Sequence, residues 1–274
     1  MRRDGLFSRK CNTWLQRRQR IARIIRESGA AVVGVQELLP EMREDVRCIL
    51  DGYSIFGMGR VGGPLGEHSD IIIKNQEIDI IKHDTFWLSK RPYQMASRAY
   101  FSFFPRICTV GEICLRDSGR KVRVFNTHFD HICGPARTLG VFTILGYLSR
   151  MQELDPMPAI IMGDLNAKPN SRPIQIMRNN AHGFANIHLT DAYQCCHTDE
   201  PVENTYHGFK GKNGQRLLDY IFVTDGLEVV DSRVDRSNDN GLYPSDHFPL
   251  IATLRFSDQQ VKPAFNAVSS AQTA

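Results

Sequence analysis

The sequence has no long hydrophobic run. Apolar residues make up 42 % of its 274 positions, yet no apolar stretch approaches the roughly 18 to 20 residues that a transmembrane helix needs. The composition also shows no break that would divide the chain in two. We therefore expect a protein without a membrane span, folded as one domain with a sizeable core.

Paired cysteines are also lacking. The seven cysteines are an odd number, and they are scattered without the paired spacing of a zinc site. Adjacent Cys195 and Cys196 have no second pair that would complete such a site. Reduced, mostly buried thiols in a cytosolic enzyme explain this distribution better than disulfides do. We therefore predict a cytoplasmic location.

Acidic residues are scarce at the start of the chain. The first 26 residues carry nine arginines or lysines and one acid, so the other 248 hold 25 bases against 29 acids. An organelle-targeting peptide is one explanation. We favour a surface helix, with Trp14, Ile21 and Ile24 on one face and arginines on the other. The acidic remainder argues against a large nucleic-acid footprint.

Strands and helices alternate irregularly in the predicted element order. Helices are predicted at 13–28, 40–50, 135–154 and near 172–179. Strands are predicted at 31–36, 53–59, 70–74, 78–88, 99–103, 107–115, 121–129, 158–164, 217–224, 227–235 and 247–256. This order predicts an α/β domain over residues 1–256, with two packed sheets and helices outside. Residues 257–274 lose the periodicity, so we expect a disordered tail there.

The segment from Ile160 to Asn166 ends a predicted buried strand on two polar side chains. Asp164 and Asn166 are two positions apart, so they leave the same face of the strand. In an α/β sheet, the carboxyl end of a strand is the usual place for a ligand. A turn before Pro169 is the structural alternative, because Asp and Asn also favour turns.

Three further apolar strand runs are flanked by polar groups. The polar groups are Gln36-Glu37, Asn126-Thr127-His128 and Ser245-Asp246-His247. Four polar groups next to apolar strand runs in one chain indicate a hydrolytic metal site. Each group also has a structural explanation: Glu37, for example, could cap the helix that Pro40 opens.

Five motifs occur in an order that resembles the endonuclease/exonuclease/phosphatase superfamily. They are Gln36-Glu37, Asn126-Thr127-His128-Phe129-Asp130-His131, Gly163-Asp164-Leu165-Asn166, Asp219-Tyr220-Ile221-Phe222 and Ser245-Asp246-His247. The resemblance spans about Asn12 to Phe256 and is strongest to bacterial-type members and deadenylase-like exonucleases. It implies a four-layer α/β sandwich, in which two mixed β-sheets are flanked by helices, and metal-dependent hydrolysis of phosphate esters.

The resemblance also implies ligands for a divalent cation, Mg²⁺ or Mn²⁺. Glu37 is the first expected ligand and Asp246 the second, since magnesium needs only one or two carboxylates. Asp164 is expected to orient or deprotonate the attacking water. Asn166 is expected to donate a hydrogen bond to a phosphate oxygen.

Two histidines are expected to complete the centre. His247 would be held by Asp219, which fixes its tautomer, and His128 would face the phosphate. Glu67 stands where relatives often have a glutamate that orients this second histidine. Arg137, at the start of a predicted helix, is expected to clamp a phosphate oxygen.

The start of the chain departs from the family pattern. Relatives begin with a core strand ending in an asparagine near the metal, whereas Met1-Arg2-Arg3-Asp4 resembles the residues just after that asparagine. We therefore expect the first core strand to be missing, with unpaired ladder groups on its neighbours. A start codon assigned too late is the explanation we favour; an impaired protein is the other.

Three functions are compatible with the sequence. The leading hypothesis is a phosphodiesterase acting on RNA or DNA, such as an exonuclease. The second is a phosphatase that acts on a small or lipid phosphate ester. The third is a catalytically silent binding protein. Binding should weaken steeply with salt only for a nuclease that contacts several phosphates. We expect a monomer.

Overall fold

Helices flank three β-sheets in the computed structural model, which describes residues 10–198, 203–212 and 216–257. A 3-10 turn at Lys10–Asn12 precedes the first helix. The helices are α1 (Trp14–Glu27), α2 (Pro40–Ile49), α3 (Gly134–Leu154), α4 (Arg172–Arg178) and α5 (Ala192–Cys196). The strands are β1 (Val32–Leu38), β2 (Tyr53–Phe56), β3 (His68–Lys74), β4 (Ile78–Trp87), β5 (Ile107–Leu115), β6 (Lys121–His128), β7 (Ala159–Asp164), β8 (Leu189–Asp191), β9 (Asp219–Thr224), β10 (Leu227–Val234) and β11 (Leu250–Phe256).

The largest sheet has six strands in the order β4-β5-β6-β7-β9-β8. Strands β6 and β7 pair in parallel, because the long helix α3 connects them across the sheet, and the remaining pairs are antiparallel. Apolar side chains of α3, including Leu145 and Leu148, pack with Phe125 and Ile161 of these two strands. The result is a mixed sheet whose central strands are almost completely buried.

Two further hydrophobic clusters complete a layered arrangement. Ile71 of β3 packs with Ile113 and Val124 of the six-stranded sheet. On the outer side of the β1-β3-β2 sheet, Ile21 of α1 packs with Leu38 of β1 and the residues around them. Helices, two sheet layers and helices therefore follow one another, as the sequence predicted.

The second sheet layer is split. Strands β1, β3 and β2 form one sheet and β10 and β11 another, so within the described part of the chain β1 and β11 each pair with one neighbour only. An apolar groove of about 790 Å³ has both strands in its wall, together with Ile24, Ile160 and Leu254.

Several element predictions were wrong. Residues 99–103 form turns rather than a strand, and Phe101 has a left-handed backbone with φ 63°. Strand β8 and helix α5 were not predicted, because segments of three and five residues are too short for a periodic pattern. The predicted tail lies outside the described residues, apart from Ser257, whose amide donates to the Gly226 carbonyl oxygen.

The cysteines agree with the prediction only in part. All seven are free, but Cys108 alone is buried, and Cys48, Cys195 and Cys196 are exposed. The prediction of mostly buried thiols was therefore wrong. No helix within the described ranges is both long enough and apolar enough to cross a membrane.

Candidate active site

The register of the central strands brings three predicted residues side by side. His128 at the end of β6 pairs with Asp164 at the end of the parallel strand β7. Asp164 in turn faces Asp219, the first residue of the antiparallel strand β9. Neighbouring strands lie only about 4.8 Å apart, so this alignment gathers an imidazole and two carboxylates at one edge of the sheet.

His247 joins this row from the chain segment just before β11. Its Nδ1 lies 2.7 Å from Asp219 Oδ2, and its Nε2 lies 4.0 Å from Asp164 Oδ2. Burial disfavours the imidazolium, but the carboxylates of Asp219 and Asp164 outweigh burial and raise the pKa of His247 to about 10. His247 is therefore a cation at neutral pH, with Nε2 directed toward Asp164.

Asp164 is almost completely buried among these groups. Burial, together with the carboxylates of Asp219 and Glu37, raises its pKa to about 7. Its Oδ1 accepts the backbone amide of Asn166 at 2.8 Å, and its Oδ2 lies 3.5 Å from His128 Nε2. A carboxylate held in this way is well matched to accept a proton near neutral pH.

Asn166 and His128 lie next to Asp164 at the same edge of the sheet. Asn166 adopts a left-handed backbone, φ 47°, which its short polar side chain tolerates; its Nδ2 donates to the Phe129 carbonyl oxygen at 3.0 Å. Burial, with the positive charges of Arg106 and His247, lowers the pKa of His128 well below its usual range. His128 is therefore a neutral imidazole. Both side chains line the cleft.

Glu37 reaches the same cleft from β1. Its own φ is 58°, an unusual conformation for a glutamate. The preceding residue is anchored, because Gln36 Nε2 donates to Asn126 Oδ1 at 2.7 Å, and the Asn126 amide donates to the Val35 and Asp70 carbonyl oxygens. This buried network holds the strand end where the Glu37 carboxylate faces the cleft.

Four carboxylates share the cleft, those of Glu37, Glu67, Asp164 and Asp246. Burial and the nearby negative charges of Asp246 and Glu67 raise the pKa of Glu37. No three acidic, histidine or cysteine side chains of the described ranges form a ready-made metal cage. Magnesium needs no such cage, because it keeps several waters and takes one or two carboxylates plus substrate oxygens. Glu37 and Asp246 fit that requirement, and their mutual repulsion is what a bound cation would relieve.

The cleft is also lined by arginines that were not predicted from the sequence. They are Arg60, Arg106 and Arg216, within a cavity of about 640 Å³. Arg106 Nη2 donates to His131 Nδ1 at 2.9 Å, and His131 also lines the cleft. No local pattern distinguishes a cleft arginine from a surface one, since the sheet and loops decide its direction.

Two predicted roles differ from the structure. Arg137 does not line the cleft; its Nη1 donates to the Asp130 carbonyl oxygen at 2.8 Å, which fixes the loop before α3. Glu67 does line the cleft, but its carboxylate accepts from Arg60 Nη1 at 2.7 Å, whereas His128 contacts Asp164. Both roles depended on loop geometry, which the sequence does not specify.

The chain is similar to a known protein family over most of its length. A sequence model of the Endonuclease/Exonuclease/phosphatase family matches residues 10–247. The chain belongs to the endonuclease/exonuclease/phosphatase family. The matched region contains all the cleft residues described above, and family members are metal-dependent phosphoesterases that include nucleases and phosphatases. No curated protein matches the chain by sequence.

Solved structures of this family have the same fold. A Bacteroides thetaiotaomicron mannosyl-6-phosphatase is 29 % identical, with a TM-score of 0.82 over 93 % of this chain and 96 % of its own. A Bacteroides vulgatus endonuclease/exonuclease/phosphatase is 25 % identical, with the same TM-score and the same coverage. The human Nocturnin catalytic domain, at 17 % identity and a TM-score of 0.71 over 90 % of this chain and 88 % of its own, shows the shared fold alone.

Proposed function

We propose that this chain hydrolyses phosphate esters with the help of a divalent cation, by direct attack of water on phosphorus. The observation that carries the proposal is the row formed by Asp164, His247 and Asp219. It pairs a carboxylate of raised pKa with an imidazolium fixed by a second carboxylate, in one cleft. A proton acceptor and a cation next to each other suit the attack of a water molecule on an anionic phosphate.

Each side chain has a defined part in this scheme. Asp164 accepts the proton of the attacking water. The His247 imidazolium donates a hydrogen bond to a phosphate oxygen through Nε2, while Asp219 holds its Nδ1. Asn166 and neutral His128 contribute further polar contacts to the phosphate.

The cation is proposed to be Mg²⁺, with Mn²⁺ as a substitute. Glu37 and Asp246 would hold it. When bound, it would neutralise charge that develops on the phosphate oxygens during the attack. The arginines at the cleft wall supply further positive charge for an anionic substrate.

We favour a phosphatase acting on a small phosphate ester. A cavity of about 640 Å³ has the size of a typical small-molecule site. The 29 % identity to a mannosyl-6-phosphatase over 93 % of the chain supports the same choice. The excess of acids over bases beyond residue 26 works against a long nucleic-acid footprint.

A nuclease remains the second candidate. The three cleft arginines suit a phosphodiester backbone equally well. Within this proposal the protein is a monomer, and a cytoplasmic location stays a prediction.

A substrate panel tests the proposal. The panel contains sugar phosphates, a phosphodiester reporter, single-stranded RNA and duplex DNA, each assayed with magnesium and with chelator, and Asp164→Asn is the control. We expect metal-dependent release of phosphate from a monoester that falls at least about 100-fold in the variant. Preferred cleavage of RNA or DNA with a steep salt dependence would select the nuclease instead. Folded protein without metal-dependent turnover of any ester would contradict both.

A further inference from the structure

An exposed patch of apolar side chains lies beside the mouth of the cleft. We call it the apolar rim; it consists of Tyr93, Met95, Tyr100, Phe101, Phe103 and Phe104. Tyr100 is 76 % exposed, Phe101 75 % and Phe103 69 %. Single exposed apolar residues are normal, but several large ones within twelve positions mark an interaction surface.

The backbone of the rim is held in an unfavourable conformation. Phe101 has φ 63°, which costs a bulky residue about 1 kcal/mol or more. The Phe101 ring gains little from burial in return, since it is 75 % exposed; its centre lies 4.0 Å from the centre of the neighbouring Tyr100 ring. Strain that presents an aromatic ring to solvent does not serve the core, so it indicates a role at the surface.

The apolar rim is continuous with the catalytic cleft. Phe104 lines the cleft, and the Arg60 guanidinium lies 4.5 Å from the centre of its ring. On the other side, Cys133 Sγ lies 3.7 Å from the Tyr100 carbonyl oxygen, which joins the rim to the loop that follows His131. A surface that docks on the rim would therefore lie against the cleft mouth.

The charge of this segment has one sign. Residues 88–106 contain Lys90, Arg91, Arg98 and Arg106 and no acidic residue, although acids exceed bases in the chain beyond residue 26. Arg98 donates to the Phe103 carbonyl oxygen at 3.1 Å, so a cation is fixed at the base of the exposed phenyl groups. Exposed aromatic rings bordered by cations are the combination that binds the interface of an anionic bilayer.

We propose that the apolar rim docks this protein on an anionic lipid bilayer and so places the cleft mouth at the headgroup layer. The exposed phenyl groups and the Met95 side chain enter the interface, while the exposed cations Lys90, Arg91 and Arg98 contact lipid phosphates. Phenyl and thioether groups favour lipid over nucleic acid, because a strand of bases needs a track of stacking rings along a basic groove. The docking does not require the proposed hydrolysis, so each can be tested separately.

Vesicle co-sedimentation of the full chain tests this proposal. The vesicles are phosphatidylcholine alone and phosphatidylcholine with about 30 mol % phosphatidylglycerol. We expect binding to the anionic vesicles, and we expect the double variant Phe101→Ser/Phe103→Ser to weaken it at least about tenfold. The variant Lys90→Gln/Arg91→Gln should weaken binding to the anionic vesicles and leave any binding to the phosphatidylcholine vesicles unchanged.

The matched control is Leu154→Ser. Leu154 is 69 % exposed, like Phe103, but it ends the 21-residue helix α3, about 30 Å from the helix start beside the cleft. This variant should bind vesicles like the parent. Hydrolysis of a soluble phosphate ester should be unchanged in every variant, so loss of docking is distinguished from loss of catalysis.

Three results would overturn the proposal. The first is a folded parent protein that does not sediment with anionic vesicles. The second is equal loss of binding in the rim variant and in Leu154→Ser. The third is a rim variant that keeps vesicle binding but loses binding to a short single-stranded oligonucleotide, measured as the fluorescence anisotropy shift that the parent protein produces. That result would assign the surface to nucleic acid. Thermal melts establish that each variant is folded.

Discussion

At the residue scale, burial acts in opposite directions on the pKa values of Asp164 and His247, yet both values are raised. Burial raises the pKa of Asp164 to about 7, so this carboxyl takes up protons near neutrality. Burial has the opposite effect on a histidine, yet Asp219 and Asp164 raise the pKa of His247 to about 10. The pair therefore offers a proton acceptor and a persistent cation, with Asp164 Oδ2 and His247 Nε2 4.0 Å apart, which neither residue would provide in water.

Asp219→Asn should change the pH dependence of turnover. The substitution removes the charge that raises the pKa of His247, while burial continues to lower it. A group with a raised pKa loses its proton as the pH rises, so the imidazolium disappears at lower pH in the variant. The alkaline limb of the kcat profile should move to lower pH by about one unit or more.

The control for this prediction is Asp225→Asn. Asp225 pairs with His188 at 3.5 Å on the surface, where both side chains are exposed. Its kcat profile should match that of the parent. Superimposable profiles of Asp219→Asn and the parent would mean that Asp219 does not maintain the charge of His247.

Glu37→Gln should raise the magnesium requirement. The half-saturating concentration for hydrolysis should increase at least about tenfold, because one of the two proposed carboxylate ligands becomes a neutral amide. Glu41→Gln is the control, since Glu41 is an exposed residue in the first turn of α2. A magnesium curve for Glu37→Gln that coincides with the parent curve would exclude Glu37 as a ligand.

At the element scale, strand ends could be predicted from the sequence and loop directions could not. Asp164 ends the apolar run that begins at Ile160, and His128 ends the strand run that begins at Val122, so strand register alone brings them together. Arg106 and Arg60 reach the cleft from loops, and nothing in their neighbourhood in the sequence fixes where they point. The turn at 99–103 was mistaken for a strand because its aromatic residues resemble a buried run, although they are exposed.

The contact between β1 and the six-stranded sheet depends on a glycine. A Cβ atom on Gly34 would lie 2.7 Å from Asn126 Oδ1, and Asn126 cannot give way, because its hydrogen bonds to Gln36 and Val35 hold it. Gly34→Ala should therefore destabilise the protein by about 1 to 3 kcal/mol in denaturant unfolding.

A second glycine provides the opposite expectation. Gly146 lies inside α3, and an added Cβ would meet only Phe184 Cζ, at an ordinary 3.8 Å. Gly146→Ala should stabilise the protein by about 0.5 to 1 kcal/mol, since alanine favours a helix. If the two variants shift the unfolding midpoint equally, the close contact at Gly34 does not constrain the fold.

At the scale of the whole molecule, the cleft is built from both sheet layers. Glu37 comes from β1 in one layer, and Asp164 comes from β7 in the other. A cation held by Glu37 and Asp246 would therefore bind the folded chain and not the unfolded one. Metal binding and global stability should be linked.

Magnesium should raise the melting temperature. At ten times the dissociation constant, binding to the folded state contributes about 1.4 kcal/mol, or about 3 °C for a chain of this size. Differential scanning fluorimetry over a magnesium series measures this shift, and Asp246→Asn should flatten it. A melting temperature that is independent of magnesium would contradict a site made by folding.

The most direct test of the catalytic centre is a double-mutant comparison with a soluble phosphate ester at saturating magnesium. Asp164→Asn and His247→Ala should each lower kcat at least about 100-fold. The double variant should be no slower than the slower single variant, because both residues serve one chemical step. A rate like that of the parent in either single variant would contradict the assignment of the centre, and strictly multiplicative losses would contradict the claim that the two residues act together.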